Sequence, residues 1–171
     1  MMRKLIIALG IILIVIASIL VYFSTTMQNN AINYKELFPK NLYGLTLNST
    51  NNESGYTKIL NYSTFLNYYY ARYSNTSNNI TIIIFNVSSR KVACMLFNNF
   101  YTKIKQNATY VNKSNYLGVN QEENFYFSNG VEVEILQGKT LILIYNSYTT
   151  HTKLNLTLDI AKHLLRFFPS N

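Results

Sequence analysis

Two kinds of pattern divide this chain. Leu5 to Phe23 (LIIALGIILIVIASILVYF) is an unbroken apolar run of nineteen residues without a charge. As a helix it would reach about 28 Å, close to the hydrocarbon thickness of a bilayer. The run predicts a transmembrane helix over 5–23, with residues 1–4 as a short tip before it. Ser24 to Asn33 (STTMQNNAIN) is polar and without period, and reads as a linker. From Tyr34 to the end, 34–171, short runs with the periods of strands and helices predict one folded domain.

Tyr34 to Tyr43 opens with a helical turn that Pro39 ends. Gly44 to Ser49 alternates Leu45 and Leu47 with polar residues and reads as a strand. Phe65 to Tyr73 (FLNYYYARY) and Ile80 to Val87 (ITIIIFNV) are β-prone and flank the turn cluster 74–79, which predicts a hairpin. Ser88 or Ser89 then caps a helix of about Arg90 to Gln106. Its apolar positions Ala93, Leu96, Phe97, Phe100, Tyr101 and Ile104 recur at three and four. Asn124 to Ser128 turns at Asn129-Gly130 into Val131 to Leu136, and Asn-Gly between β-prone runs is a strong hairpin signal. Alternation puts Val131, Val133 and Ile135 inward, and Glu132 and Glu134 outward. Gln137-Gly138-Lys139 turns again into Thr140 to Tyr145 (TLILIY). A helix from about Thr152 to Phe168 closes the chain, and Pro169 stops it.

The order β-β-β-α-β-β-β-α, give or take one strand, is rich in hairpins and lacks βαβ alternation. The expected fold class is α+β: the N-terminal transmembrane helix, then an antiparallel sheet with two packed helices. This element order, with Phe38-Pro39 and Leu42-Tyr43-Gly44-Leu45 before the first strand, is similar to the PsbP/Mog1-like α+β fold. That fold serves many roles, so the resemblance implies an architecture and transfers no site residues.

Charge gives the apolar run a direction. Arg3 and Lys4 precede it, and no charge follows until Lys35 and Glu36. The positive-inside rule then predicts a cytoplasmic N-terminus and a domain outside, on a single-pass cell-membrane protein. A cleaved signal peptide is the rival reading, but the run is too long and lacks a small-x-small site before the bulky Tyr22-Phe23. The whole chain carries +8, from 15 basic and 7 acidic residues. The basic residues are scattered singly, which argues against nucleic acid as a partner. Cys94 is the sole cysteine, so no intramolecular disulfide can form.

Nine Asn-x-Ser/Thr sites begin at Asn48, Asn52, Asn61, Asn75, Asn79, Asn86, Asn107, Asn112 and Asn155. Chance would give roughly four among so many Asn, so the excess supports export and makes each a candidate glycan acceptor. Asn86 ends a predicted strand and Asn155 begins a helix, which makes them poorer acceptors. The polar surface is built from Asn, Ser, Thr and Tyr more than from charged groups. A surface with few carboxylates changes little in charge as pH falls. In these respects the chain resembles surface proteins of thermoacidophilic, Sulfolobus-type archaea, a resemblance of composition across the exported part.

Candidate chemistry is sparse. Cys94 lies near a helix start, where a thiol pKa falls, but among Val92, Ala93, Met95 and Leu96 it reads as a small buried hydrophobe. Asp159 and His163 are four apart on one helix and read as a surface ion pair, and His151 precedes that helix. Glu132 and Glu134 stand about 7 Å apart on one strand face, a spacing two catalytic carboxylates can use, yet a solvated strand face is the simpler reading. Glu122 and Glu123 read as part of a polar loop. The Tyr68-Tyr69-Tyr70 run can place Tyr68 and Tyr70 on one face, as core packing or as a platform for sugars or a partner. No phosphate loop, metal motif or cofactor signature is present, so no catalytic residue, metal or cofactor is expected.

The functional expectation is a non-enzymatic, membrane-anchored surface protein, an accessory or structural subunit of a cell-envelope complex. Its partners would be the lipid bilayer and other membrane or surface-layer proteins. The alternative is an anchored ligand- or glycan-binding module using the Tyr-rich sheet.

Overall fold

The computed structural model describes residues 32–59, 62–113, 115–148 and 154–169. The helix expected at Leu5–Phe23, the tip before it and most of the 24–33 linker lie outside these residues. A helical turn, α1 (Tyr34–Leu37), opens the unit Tyr34–Asn171. Four strands follow: β1 (Asn41–Leu42), β2 (Leu45–Ile59), β3 (Tyr62–Ser74) and β4 (Asn78–Val87). Helix α2 (Arg90–Lys105) leads to β5 (Tyr110–Lys113), β6 (Gln121–Phe127), β7 (Gly130–Gln137) and β8 (Thr140–Tyr148). Helix α3 (Leu154–Leu165) comes last.

The strands form one eight-stranded sheet in the order β1-β2-β3-β4-β8-β7-β6-β5. Every neighbouring pair is antiparallel. Each half is a meander. Helix α2 carries the chain from β4 to the far edge, and the second meander walks back until β8 meets β4. The seam is the most apolar part of the sheet, with Ile82 opposite Ile144, Ile83 opposite Leu143 and Ile84 opposite Ile142. A central strand covered on both faces needs such continuous apolar runs.

Helices lie on both faces. Successive strand residues point to opposite sides. Leu141 and Leu143 of β8 pack with Val92, Ala93, Leu96 and Phe97 of α2. Asn146, of opposite parity on β8, donates to Thr157 Oγ1 of α3 at 3.3 Å. The apolar stripe of α3 includes Leu158, Ile160, Ala161 and Leu164, all buried. Helix α1 shares the α3 side. Tyr34 stacks on Tyr69 and Tyr69 meets Phe168 edge-on. Buried Tyr73 donates its hydroxyl to Pro39 O at 2.9 Å.

These observations correct the expected fold class. No helix among the described residues is long and apolar enough to cross a membrane. The longest, α2, has 16 residues, about 24 Å, and carries Arg90, Lys91, Lys103 and Lys105. Among the described residues there are eight strands in one sheet and three short helices, in place of six strands, give or take one, and two helices. Single-pass placement in the cell membrane, with a cytoplasmic N-terminus and the domain outside, is withdrawn with it.

Strand boundaries move for a physical reason. Strand β2 runs ten residues past the expected Ser49, through TNNESGYTKI. That stretch is mostly exposed on both faces, so it has no apolar alternation, and the pairing of β2 with β3 from Thr46–Ser74 to Ile59–Tyr62 makes it a strand. Strand β4 pairs with β3 only from Leu66 to Ser74. The end of the β2–β3 hairpin therefore overhangs its neighbour. Ser89 holds the N-cap position of α2 without a side-chain bond, while Ser88 Oγ lies 2.8 Å from buried Thr64 Oγ1.

Candidate functional site

Two regions place polar or aromatic side chains where the core does not require them. The first is the β2–β3 wing. Beyond Thr46, no strand among the described residues pairs with the outer edge of β2. On the α2 side of the sheet, Glu53 faces Tyr68 and Asn51 faces Tyr70 across the two strands. Asn51 Nδ2 donates to Glu53 Oε1 at 3.1 Å. Tyr68 leans on Phe85, which stacks on Phe100 of α2. Tyr68 and Tyr70 are both half-buried. Burial pushes the Tyr68 hydroxyl up from its usual pKa, with smaller effects from Tyr70 and Glu53. A hollow of about 410 Å³ lies at the strand edge against Glu53, Tyr56, Leu66 and Tyr68.

At the overhang the aromatics are open. Tyr56 is 86% exposed, Tyr62 39% and Phe65 38%. Tyr56 and Phe65 are cross-strand partners, with ring centroids 5.2 Å apart, edge to face. Lys91 Nζ sits 5.1 Å from the centre of the Tyr62 ring, on the opposite face. The sequence reading placed interest on Tyr68 and Tyr70 and missed Tyr56 and Phe65. Tyr56 stands alone in a polar stretch, and only the pairing of β2 with β3 brings the two rings together.

The second region is a strip of carboxyls beneath α2. Alternation along β7 does separate Val131, Val133 and Ile135 from Glu132 and Glu134, but the second set is not a solvated face: Glu134 is buried and Glu132 half-buried. Helix α2 covers that face, and Glu134 is 0% exposed. Neither Glu134 oxygen has a hydrogen-bond partner among the described residues. Glu123 of β6 stands opposite Glu134. Both Glu122 and Glu123 are buried on β6 and not in a loop. Lys113 Nζ reaches Glu123 Oε1 at 3.3 Å and also lies over the Tyr101 ring. Glu122, on the other face, accepts the Leu117 N–H at 3.0 Å.

Burial disfavours a charged carboxylate. It pushes Glu132 up to about 7. It pushes Glu134 up to about 9, helped by Glu132 and then Glu123. Glu132 opens onto a cleft of about 440 Å³ at the end of α2, which it lines with Lys103, Ile104, Asn107, Phe127 and Tyr145. Burial, then Glu132 and Tyr148, also raises the Tyr145 hydroxyl.

The other sequence candidates separate from these regions. Cys94 is half-buried against the apolar cluster under α2. Asp159 pairs with Lys162 at 3.6 Å and not with His163. His163 Nε2 instead lies 3.1 Å from Glu36 O and 3.3 Å from Leu37 O, so its N–H ties α3 to α1. His151 lies outside the described residues. Among the sequons, Asn48, Asn52, Asn75, Asn79, Asn107 and Asn155 are exposed, and Asn86 and Asn112 are half-buried. Asn61 lies outside the described residues. Asn75 Oδ1 caps the β3–β4 turn by accepting the N–H groups of Ser77 and Asn78, at 2.9 and 2.8 Å. Among the described residues, no three His, Cys, Asp or Glu are grouped to hold a metal ion. Comparison of the chain with protein-family models, with curated proteins and with solved structures finds no match.

Proposed function

We propose that the domain is a non-enzymatic accessory subunit that binds another protein through the overhanging β2–β3 hairpin. The observation that carries this reading is the open aromatic pair Tyr56–Phe65 on a hairpin that extends past β4. Large aromatics exposed together are costly to hydrate and are enriched at the centres of protein interfaces. The edge of β2 beside them, which no strand among the described residues pairs with beyond Thr46, offers backbone groups to an extended segment of the partner. Cys94 in apolar packing and His163 held by backbone carbonyls leave little for nucleophilic catalysis. The test is purification of the full-length protein at native expression, with cross-linking and mass spectrometry. A reproducible partner cross-linked within residues 50–66, lost in Tyr56→Ala/Phe65→Ala, supports the reading. A partner that cross-links elsewhere and survives the double substitution defeats it.

A specific observation favours a second reading, a glycan-binding module. Tyr68, Tyr70, Asn51 and Glu53 share one face of the wing, and aromatic rings beside amide and carboxylate oxygens suit sugar faces and hydroxyls. Saturable oligosaccharide binding abolished by Tyr68→Ala would favour this reading over the first.

A further inference from the structure

We infer that the cleft at the end of α2 is a binding site for a small organic ammonium ion, with Glu132 as its counter-charge and Phe127 and Tyr145 as its walls. This site is separate from the β2–β3 wing and does not depend on the function proposed for it.

The cleft has the composition such a cation needs. Glu132, half-buried on β7, contributes one carboxyl to the lining, and neither ion pair among the described residues involves it. Glu134, two residues on and on the same strand face, is fully buried with both oxygens unpartnered. Phe127 and Tyr145 meet edge to face at 6.0 Å, so the apolar wall is two rings deep. Such rings attract cations through their electron-rich faces. Tyr145 is the cross-strand partner of Glu132, which puts ring and carboxyl side by side on one face. Lys103 and Ile104 belong to the last turn of α2 and Asn107 follows its cap, so the cleft lies at the helix end that carries partial negative charge, although the Ile104 carbonyl is itself taken by the Asn107 and Ala108 N–H groups.

The same features exclude other classes. An anion would meet a carboxylate and the negative end of a helix. A hard divalent ion asks for about six oxygen ligands, and rings occupy two of the walls. The cleft, about 440 Å³ and broadly open to solvent, has room for a small ligand with an apolar body. Among the described residues Lys103 is the one cation lining the cleft, and it is exposed, so it competes weakly with the ligand and can swing away. Glu132 is held partly protonated near neutral pH by its burial, so ligand binding there should release a proton to solvent.

The test uses the full-length protein at pH 7.5 with isotope-labelled Phe and Tyr. It is titrated with tetramethylammonium, with butylammonium, and with tert-butanol as a neutral body of similar shape. The expected result is saturable NMR shifts at Phe127 and Tyr145 for at least one cation, at least tenfold tighter than for tert-butanol. Glu132→Gln should weaken cation binding at least tenfold. Lys103→Ala should tighten it about twofold to fivefold, and Glu123→Gln should leave it within twofold. Calorimetry in buffers of different ionisation enthalpy should show proton release on binding. Equal binding of tert-butanol and the cations overturns the inference without any variant. So do the absence of saturable shifts at the two rings, or unchanged affinity in folded Glu132→Gln.

Discussion

Glu123 and Glu134 face each other across β6 and β7, two carboxyls on the same side of the sheet beneath a helix. Lys113 reaches Glu123 at the open edge. It leaves Glu134, one strand further in, without a partner among the described residues. The protein accommodates Glu134 by keeping it protonated. That arrangement has a pH dependence of definite sign.

A group with a raised folded-state pKa binds its proton more tightly in the folded protein than in the unfolded chain. Its contribution is fully present below the unfolded value, near 4.5, and is lost as pH rises through the folded values of about 7 for Glu132 and about 9 for Glu134. Urea denaturation should therefore show stability falling between about pH 5 and pH 9. The charged groups that act on Glu134 are Glu132 and Glu123, both acids, and neither Glu134 oxygen has a hydrogen-bond partner among the described residues, so nothing there reverses the sign. Glu134→Leu should flatten the profile and raise stability at pH 9 by on the order of 2 kcal/mol, because it removes an unsatisfied buried acid. A stability that rises toward pH 9 in the native chain would contradict this account.

Gly130 is fixed by close approach. A Cβ there would lie 2.6 Å from Asn146 O and 3.1 Å from Tyr145 Oη. The first neighbour is backbone and cannot move aside cheaply. Gly130→Ala should cost about 1–3 kcal/mol, read as a lower denaturation midpoint at unchanged slope.

Tyr73→Phe isolates one hydrogen bond. The ring stays in the core while the hydroxyl that binds Pro39 O at 2.9 Å is removed. The expected loss is about 1–2 kcal/mol, because the Pro39 carbonyl then lacks its donor. Amide hydrogen exchange in residues 34–40 should quicken more than in β4 or β8. Equal quickening throughout would mean the bond does not hold α1 to the sheet.

Tyr56→Ala/Phe65→Ala removes rings that are largely outside the core. A cross-strand aromatic pair is worth up to about 1 kcal/mol, so the double variant should fold with a stability within that margin. A larger loss would mark the pair as part of the fold and remove it as a docking feature.

Local signals were legible where a short stretch carries its own geometry. Asn129-Gly130 makes a tight hairpin whatever surrounds it. The three-four spacing from Ala93 to Phe97 and Phe100 marks α2, and the β-branched run of β4 marks a covered strand. The wing was harder to read. Thr50 to Ile59 lacks apolar alternation because neither face of that stretch is deeply covered, so the residues that make it a strand lie in β3. The two-residue β1 and four-residue β5 are too short to carry a period.

Alternation along β7 determined that Glu132 and Glu134 share a face opposite Val131, Val133 and Ile135. It could not say what would cover that face. A sheet with one helical layer would have left both acids in water. In this protein α2 and α3 pack on opposite sides, so the polar face of β7 became an interior with a cleft at its end. Sequence period is a property of neighbouring residues and decides which side chains point together. Solvation is a property of what packs above them, and residues 90–105, brought over by the crossover, decided it.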